Sequence, residues 1–465
     1  MEKSKLIDLL RSFNGREWSN FQLFVQSPYF NRNEAATNLC ILLRAHAPSF
    51  ESLSRTSLFQ QLFPGESYND AMLNHTMSFL LKLAEQFIGQ QQFENHAFAG
   101  SQYILKGLME RGLEKHYRYK YEKTTQLSGQ QTLRDAQYHY EQYFIKNMEA
   151  NRLSHTSARV FNEYVQDAAD HLDYFYLAEK LRCTCYMLTS QVVLASPYNL
   201  QLVEEVYRFL QQHPLPESAP SIHAYFYIFQ LLRDDHARES FESLKTLLRT
   251  QESRFSQQEL ADLYQYAINY CNFQILKLRP EFVEEALNLY VQGVESGILL
   301  EKGKLSPWHY KNIIKLALRL QKFDWTEQFI LQNTRLLDDV HRDDAYYYNL
   351  AELYYYTGRF DAAMSFLNKV DFSDIHYKLG AKVLLVKIYY ETDASDALES
   401  LLHSFKTYLN RNKVISEELR RTYLNFIQMV AQMIRATPIQ FTALRQKVEQ
   451  QPLLTDKNWL LQRLS

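Results

Sequence analysis

The chain has 465 residues but only 12 Gly and 11 Pro. That is too little turn-forming material for an all-β or α/β protein, since Gly supplies positive φ and Pro presets turns. Its 51 Lys and Arg balance 53 Asp and Glu, and a net charge of -2 gives no global field to attract nucleic acid or an anionic membrane.

The first 90 residues read as short helices separated by strong breakers. Leu6, Leu9, Leu10 and Phe13 form one apolar stripe, stopped by Asn14 and Gly15. Trp18, Phe21, Phe24 and Val25 form the next, stopped by Ser27 and Pro28. A third helix is expected over 33–46. A short one over 54–63 has Ser54 as its N-cap and Pro64-Gly65 as its close. A long amphipathic helix over 69–88 carries Met72, Thr76, Phe79, Leu83 and Phe87 along one side. From 101 to 213 the pattern stays helical, with segments rich in Tyr and Phe at 137–153 and 170–188. The stretch 211–221, with Pro214, Pro216 and Pro220, marks the main expected boundary, because Pro ends helices and biases the preceding residue away from them. Helix pairs are then expected at 221–232 with 236–250, 256–276 with 280–296, 307–320 with 324–334, 344–356 with 360–370, and 376–390 with 394–409. A helix at 416–435 and a tail with Pro438 and Pro452 follow.

Ala363 and Ala397 lie 34 residues apart, as do Leu350 and Leu384, Tyr354 and Ile388, and Leu367 and Leu401. That spacing is the length of a helix-turn-helix repeat. Within 343–374, Tyr347, Leu350, Ala351 and Tyr354 fall at large, large, small and aromatic positions of a first helix. Gly358 and Phe360 fall at the turn, and Ala363 and Leu367 on a second helix. This segment resembles a tetratricopeptide repeat, departing from it at Val370, where Ala is usual, and near Asp374, where Pro is usual. The next copy keeps Leu384, Ile388, Ala397 and Leu401 but has Ala381 in place of Tyr347 and Thr392 in place of the turn Gly. The preceding copy, 310–333, keeps Phe323, has Thr326 for the small Ala, and is offset by 37 residues. The resemblance implies an all-α fold, an α-α superhelix or tetratricopeptide-like solenoid. The expected organisation is a small N-terminal helical section (1–90), a helical region of degenerate repeats (101–213), the solenoid (221–435) and capping helices (436–465).

In the repeat register Tyr347 and Tyr354 face inward, whereas Tyr348, Glu352 and Tyr355 project toward a concave groove. An exposed Tyr suits binding there, its ring giving area at low entropy cost and its hydroxyl a polar handle, the alternative being that these rings pack against a neighbouring helix. Beside them Lys311, Lys315 and Arg319 share one face of helix 307–320 at i, i+4 and i+8. In the resembling family such positions hold the C-terminal carboxylate of chaperone peptides. Lys311 and Asn349 occupy two of those places, while Lys315, Leu379 and Val383 depart from the others. With Lys382, these residues make the expected partner-binding set: Lys311, Lys315, Arg319, Tyr348, Asn349, Glu352, Tyr355 and Lys382. The implied function is a non-enzymatic interaction or scaffold protein whose partner is another protein or peptide, an acidic one fitting the lysines.

Other constellations favour structure over chemistry. The run KHYRYKYEK at 115–123 reads as an amphipathic helix, with Tyr117 and Tyr121 on one side and Glu114 and Glu122 diluting its charge. The helices around Pro64-Gly65 allow an alternative, a DNA-binding regulator with a helix-turn-helix-like segment and the repeats as a sensor. The second of those helices offers Asn69, Asn74, His75 and one basic residue, Lys82, poor provision for phosphates. The acids of 338–344 precede a helix that Asp343 or Asp344 would cap, and Asp167, Asp170, His171 and Asp173 form a structural polar group. Cys40, Cys183, Cys185 and Cys271 are too scattered for a disulfide framework and read as reduced, buried thiols. No phosphate-binding loop, dinucleotide fingerprint, zinc-protease motif or nucleophile elbow occurs, so no catalytic, cofactor or metal site is expected. No run of residues is apolar enough for a membrane span, and Glu2 and Asp8 break the apolar core a signal peptide needs, so the expected location is cytoplasmic.

Overall fold

The computed structural model describes residues 4–51, 53–154, 161–194, 197–213, 217–370 and 375–465. Among them the chain forms twenty-three α-helices and one two-stranded hairpin. It divides into two compact units, Met1–Thr132 with Ala136–Tyr176, and Leu133–Asp135 with Leu177–Ser465.

The first unit opens with α1 (Lys5–Arg11), α2 (Gly15–Gln26), α3 (Glu34–Arg44), α4 (Arg55–Leu62) and α5 (Asp70–Asn95). Local chemistry sets their starts. Asn14 accepts from the backbone of Arg16 and Glu17 while Glu17 reaches back to the Asn14 N–H, and Ser54 and Asn69 cap α4 and α5. α5 packs on α1, α2 and α3, with Phe13 at its centre, edge-on to Trp18, Phe21 and Phe87 at 5.9, 5.4 and 5.7 Å. The buried stripe of α5 runs through Leu73, Thr76, Met77, Leu80, Leu83, Ala84 and Phe87. Met72, expected on that side, is exposed. The two stripes share Thr76, Leu83 and Phe87, and the one rich in Leu wins the contact. Next come α6 (Ala97–Glu110), α7 (Glu114–Gly129), α8 (Ala136–Ser154) and α9 (Glu163–Leu194), with the division between units falling inside α9. On α7, Tyr117 and Tyr121 stack at 6.0 Å on one side, and Glu114 pairs with Arg118 and Arg152.

The second unit continues with α10 (Val203–Gln212), α11 (Pro220–Arg233), α12 (Arg238–Thr250), α13 (Gln257–Leu276), α14 (Glu281–Glu295), α15 (Pro307–Arg319) and α16 (Phe323–Asn333). After these come α17 (Asp339–Tyr356), α18 (Phe360–Leu367), α19 (Ile375–Glu391), α20 (Ser395–Arg411), α21 (Glu417–Arg435), α22 (Phe441–Gln450) and α23 (Lys457–Arg463). Successive helices from α11 to α22 pair as hairpins, and first helices pack on first helices, α11 on α13, α15 on α17 and α17 on α19. The arrangement is helical-repeat-like. The stretch between α10 and α11 lies within this unit; Pro220 is the first residue of α11, and Pro214 and Pro216 lie outside the described residues. α17 begins at Asp339 after Asp338, a turn before the expected start, so Asp343 and Asp344 lie inside the helix rather than at its cap. A short hairpin, Leu300–Glu301 with Lys304–Leu305, turns through Lys302 and Gly303 at φ 50° and 77° and was not foreseen by the helical pattern. Cys40, Cys185 and Cys271 are buried, and burial pushes their thiols up. Cys183 is exposed, because two residues along α9 turn its side chain away from that of Cys185.

One turn recurs between hairpin partners. At the end of α17, Gly358 (φ 72°) donates to the Tyr355 carbonyl at 3.0 Å and Arg359 to that of Tyr354 at 2.8 Å, a Schellman closure. The same pair of bonds closes α13 at Leu278 (φ 63°), α15 at Gln321 (φ 57°) and α19 at Asp393 (φ 53°). The turn position of the fourth copy is therefore Asp393, one residue past the Thr392 that a strict 34-residue step selects. Of the four, only Gly358 meets left-handed geometry without a Cβ penalty, which for other residues is about 1–2 kcal/mol. Leu278 is also 77% exposed. Leu278→Gly is expected to raise stability by about 1 kcal/mol in urea denaturation; a loss would mean that the leucine side chain packs in solution.

Candidate functional site

The two Tyr triplets of α17 point in three directions, as consecutive helical residues must. Tyr347 and Tyr354 are half-buried and face the partner helix, their rings 6.1 and 5.4 Å from Phe366 of α18. Tyr348 and Tyr355, expected to stand open in a groove, are 3% and 8% exposed. Different neighbours cover each of them.

Tyr348 lies against α19, where Gly380 makes room: a Cβ there would come within 2.8 Å of the Tyr348 hydroxyl. Its ring is edge-on to Tyr377 at 5.3 Å, and the Lys311 ammonium sits 4.6 Å from one ring and 5.0 Å from the other. Lys311 thus packs as a cation on aromatic faces. Burial, then Glu352 and Asp456, push the Tyr348 hydroxyl well above its ordinary pKa.

Tyr355 is covered by the chain's own carboxy-terminal segment. Its hydroxyl donates to Glu391 at the end of α19, and the same carboxylate accepts from Trp459 Nε1 at 2.8 Å and pairs with Arg463 at 2.6 Å. Trp459 is buried against Tyr390 at 5.4 Å and Phe426 at 6.2 Å. Three residues earlier, Asp456 accepts from Lys387 Nζ at 2.9 Å; that lysine side chain is 6% exposed and also lies 4.7 Å over the Tyr355 ring. Asn425 of α21 donates to the Leu453 carbonyl at 2.8 Å. Leu460 and Leu464 complete a hydrophobic cluster with Val383, Val386 and Phe426. Residues 453–464 therefore lie along the first-helix face of α17, α19 and α21.

The eight expected binding residues separate accordingly. Tyr348, Glu352, Tyr355 and Lys315 gather around the carboxy-terminal segment: Lys315 is exposed on α15 and draws the Asp456 pKa down, and Glu352 acts on both Tyr348 and Tyr356. Arg319 is exposed on the same side of α15, near enough to act on Tyr356. Asn349 is fully buried beneath them, its amide donating to the Ala345 carbonyl at 2.7 Å. Lys382 faces elsewhere: its ammonium lies over Phe405 at 5.8 Å and Tyr408 at 5.5 Å on α20, with its pKa lowered by burial and by Lys378. Lys387, Glu391, Asp456, Trp459 and Arg463 escaped the sequence reading. The last three share one side at offsets of three and seven, a faint signal, and no local pattern links them to α19.

Elsewhere, Asn74 of the helix-turn-helix-like segment is tied into a network, accepting from Arg55 at 2.6 Å and donating to Asp70 at 2.9 Å. His171 meets His139, Nδ1 to Nδ1, at 3.0 Å, and Asp167 pairs with Lys146. Among the described residues no group of three or more His, Cys, Asp or Glu is placed to hold a metal ion, and no helix is long and apolar enough to cross a membrane. No family model, curated protein or solved structure matches the chain.

Two measurements follow from this geometry. Tyr348→Ala is expected to cost about 3–5 kcal/mol in chemical denaturation, the range for a buried aromatic truncated in a core; no measurable change would place the ring outside the packing. The second concerns acid. Burial alone would raise the pKa of Asp456 and of Glu391. Lys387 with Lys315, and the hydrogen bonds from Trp459, Tyr355 and Arg463, outweigh it and hold both carboxyls below their usual range. Depressed carboxylates contribute stability that is present above their unfolded pKa values and lost as pH falls through the folded ones. Below about pH 4 the carboxy-terminal segment is expected to become protease-accessible and Trp459 emission to shift red, judged against Trp459→Phe. Full protection persisting through that titration would show that these carboxylates do not hold it.

Proposed function

We propose that this chain is a non-enzymatic interaction protein, a tetratricopeptide-like α-α superhelix over 221–435 whose inner, first-helix face holds a peptide or helix of a partner protein. The observation that carries the reading is that consecutive first helices address one segment distant in sequence. Lys315 of α15, Tyr355 of α17, Lys387 and Glu391 of α19, and Asn425 of α21 all turn toward residues 453–463. A surface that seats a helix by charge, aromatic and backbone contacts at intervals along its length suits helix-in-groove recognition. The 34-residue spacing and the recurring left-handed turns at Leu278, Gln321, Gly358 and Asp393 support the repeat architecture. Lys315, Arg319 and Lys387 outnumber Glu352 and Glu391 on this face, a small cationic excess that favours a partner with acidic groups.

A photo-crosslinking residue placed at the exposed positions Lys315 and Tyr356, with exposed Leu331 on second helix α16 as control, tests this in extract of the source organism. The expected result is a crosslinked polypeptide at the first two positions and none at Leu331. Identical products from all three, or none, would sink the reading.

A further inference from the structure

The carboxy-terminal segment shows which chemistry the first-helix face accepts. Asp456 takes Lys387, Trp459 places its indole against Tyr390 and Phe426 and its N–H on Glu391, and Arg463 takes the other Glu391 oxygen. Leu460 lies beside Trp459 and is fully buried. Trp459, Leu460 and Arg463 project from α23, and Asp456 stands at its N-cap, three, four and seven residues before them. The pattern is Asp-x-x-Trp-Leu-x-x-Arg.

The face discriminates between occupants. Lys387 is nearly buried and its ammonium is 2.9 Å from the Asp456 carboxylate; an occupant that covered this position without an acid would leave a charge desolvated and unpaired, which is costly. Glu391 accepts from three donors, two of them supplied by the segment. The segment is also held under backbone strain, since Asp456 itself adopts φ 49° without being glycine. It is anchored by polar groups that another chain can copy.

Building on the interaction reading above, we propose that residues 452–464 are a self-ligand covering the partner site, and that the partner is an amphipathic helix with the same pattern: an acidic residue three positions before a Trp and seven before an Arg. The partner displaces the segment. Because the segment is tethered, it competes at an effective concentration in the millimolar range, so a foreign helix engages only where its own concentration and contacts overcome that competition.

The test uses the full chain and a fluorescein-labelled synthetic peptide of residues 452–465 as the probe. The chain is compared as wild type, as Asp456→Asn, which keeps the shape and removes the charge, and as Asp456→Asn with Trp459→Ala. Fluorescence anisotropy is expected to show binding to both variants, at least about tenfold tighter than to wild type. A peptide with Lys in place of its Asp should not bind these variants, but should bind Lys387→Glu combined with Asp456→Asn. If the double variant does not fold, judged by circular dichroism, Asp456→Asn and the charge reversal decide the matter.

Equal binding to wild type and variants would place the peptide elsewhere and overturn the proposal. No binding to a folded Asp456→Asn chain would make the segment a permanent part of the fold, with the same consequence. Dimerisation of the variants in light scattering would replace the foreign helix with a second copy's own segment and overturn the partner assignment. A groove-specific crosslinked partner combined with no peptide binding would remove the self-ligand and leave the interaction reading standing; failure of both experiments removes both.

Discussion

A lysine ammonium taken out of water needs a counter-charge, and Lys387 finds its own 69 residues away in Asp456. Much of the carboxy-terminal half follows from that constraint. It fixes where the last segment crosses α19, and so where Trp459 and Arg463 fall three and seven residues later, on Glu391 one helical turn beyond Lys387. Glu391, once there, captures the Tyr355 hydroxyl as well, which binds α17 to the same junction. Two side chains of α19, one of each charge, thus set the register of the tail against two first helices.

Beneath that junction the packing is ordinary and tight. Gly380 lets the Tyr348 ring approach the α19 backbone, and Lys311 closes over the ring from α15. Size complementarity of this kind is what a 34-residue repeat needs where helices come close, with small residues at the crossing and large ones around it. Variation in that geometry is absorbed at the turns. Leu278, Gln321 and Asp393 adopt the left-handed conformation that Gly358 adopts freely, so the closure persists where the glycine does not.

This contrast explains what could be read from the sequence. The helix pairs of 221–411 were legible because apolar period and breakers are local properties. Asp393 was displaced by one from the expected turn because the hydrogen-bond pattern that defines the closure depends on where α19 stops, which the spacing of Leu384 and Leu401 does not report. The tyrosines were misread for a deeper reason. The register places Tyr348 and Tyr355 on the first-helix face, but their exposure depends on what lies over that face: α19 and Lys311 cover Tyr348, and Tyr355 is covered by a segment about a hundred residues further along the chain. Lys382 was misplaced by a simpler geometric fact: five residues before Lys387 on α19 is about 140° around the helix, enough to turn it to α20.

The way the tail is fastened bears on why it is there. An apolar cover alone would serve stability better, since buried ion pairs contribute little net energy compared with well-packed hydrophobic groups of the same volume. Here the apolar part, Trp459, Leu460 and Leu464, is supplemented by Asp456 and Arg463, which pair with Lys387 and Glu391 of α19. Beneath it one carboxylate oxygen of Glu352 and the amide oxygen of Asn349 are buried without a hydrogen-bond partner from the protein. Ion pairs of this sort fix register and direction more than they fix affinity, and they respond to acid and to a competing charge. A face whose anchors are charged is better matched to an occupant that can be exchanged than to one that never leaves.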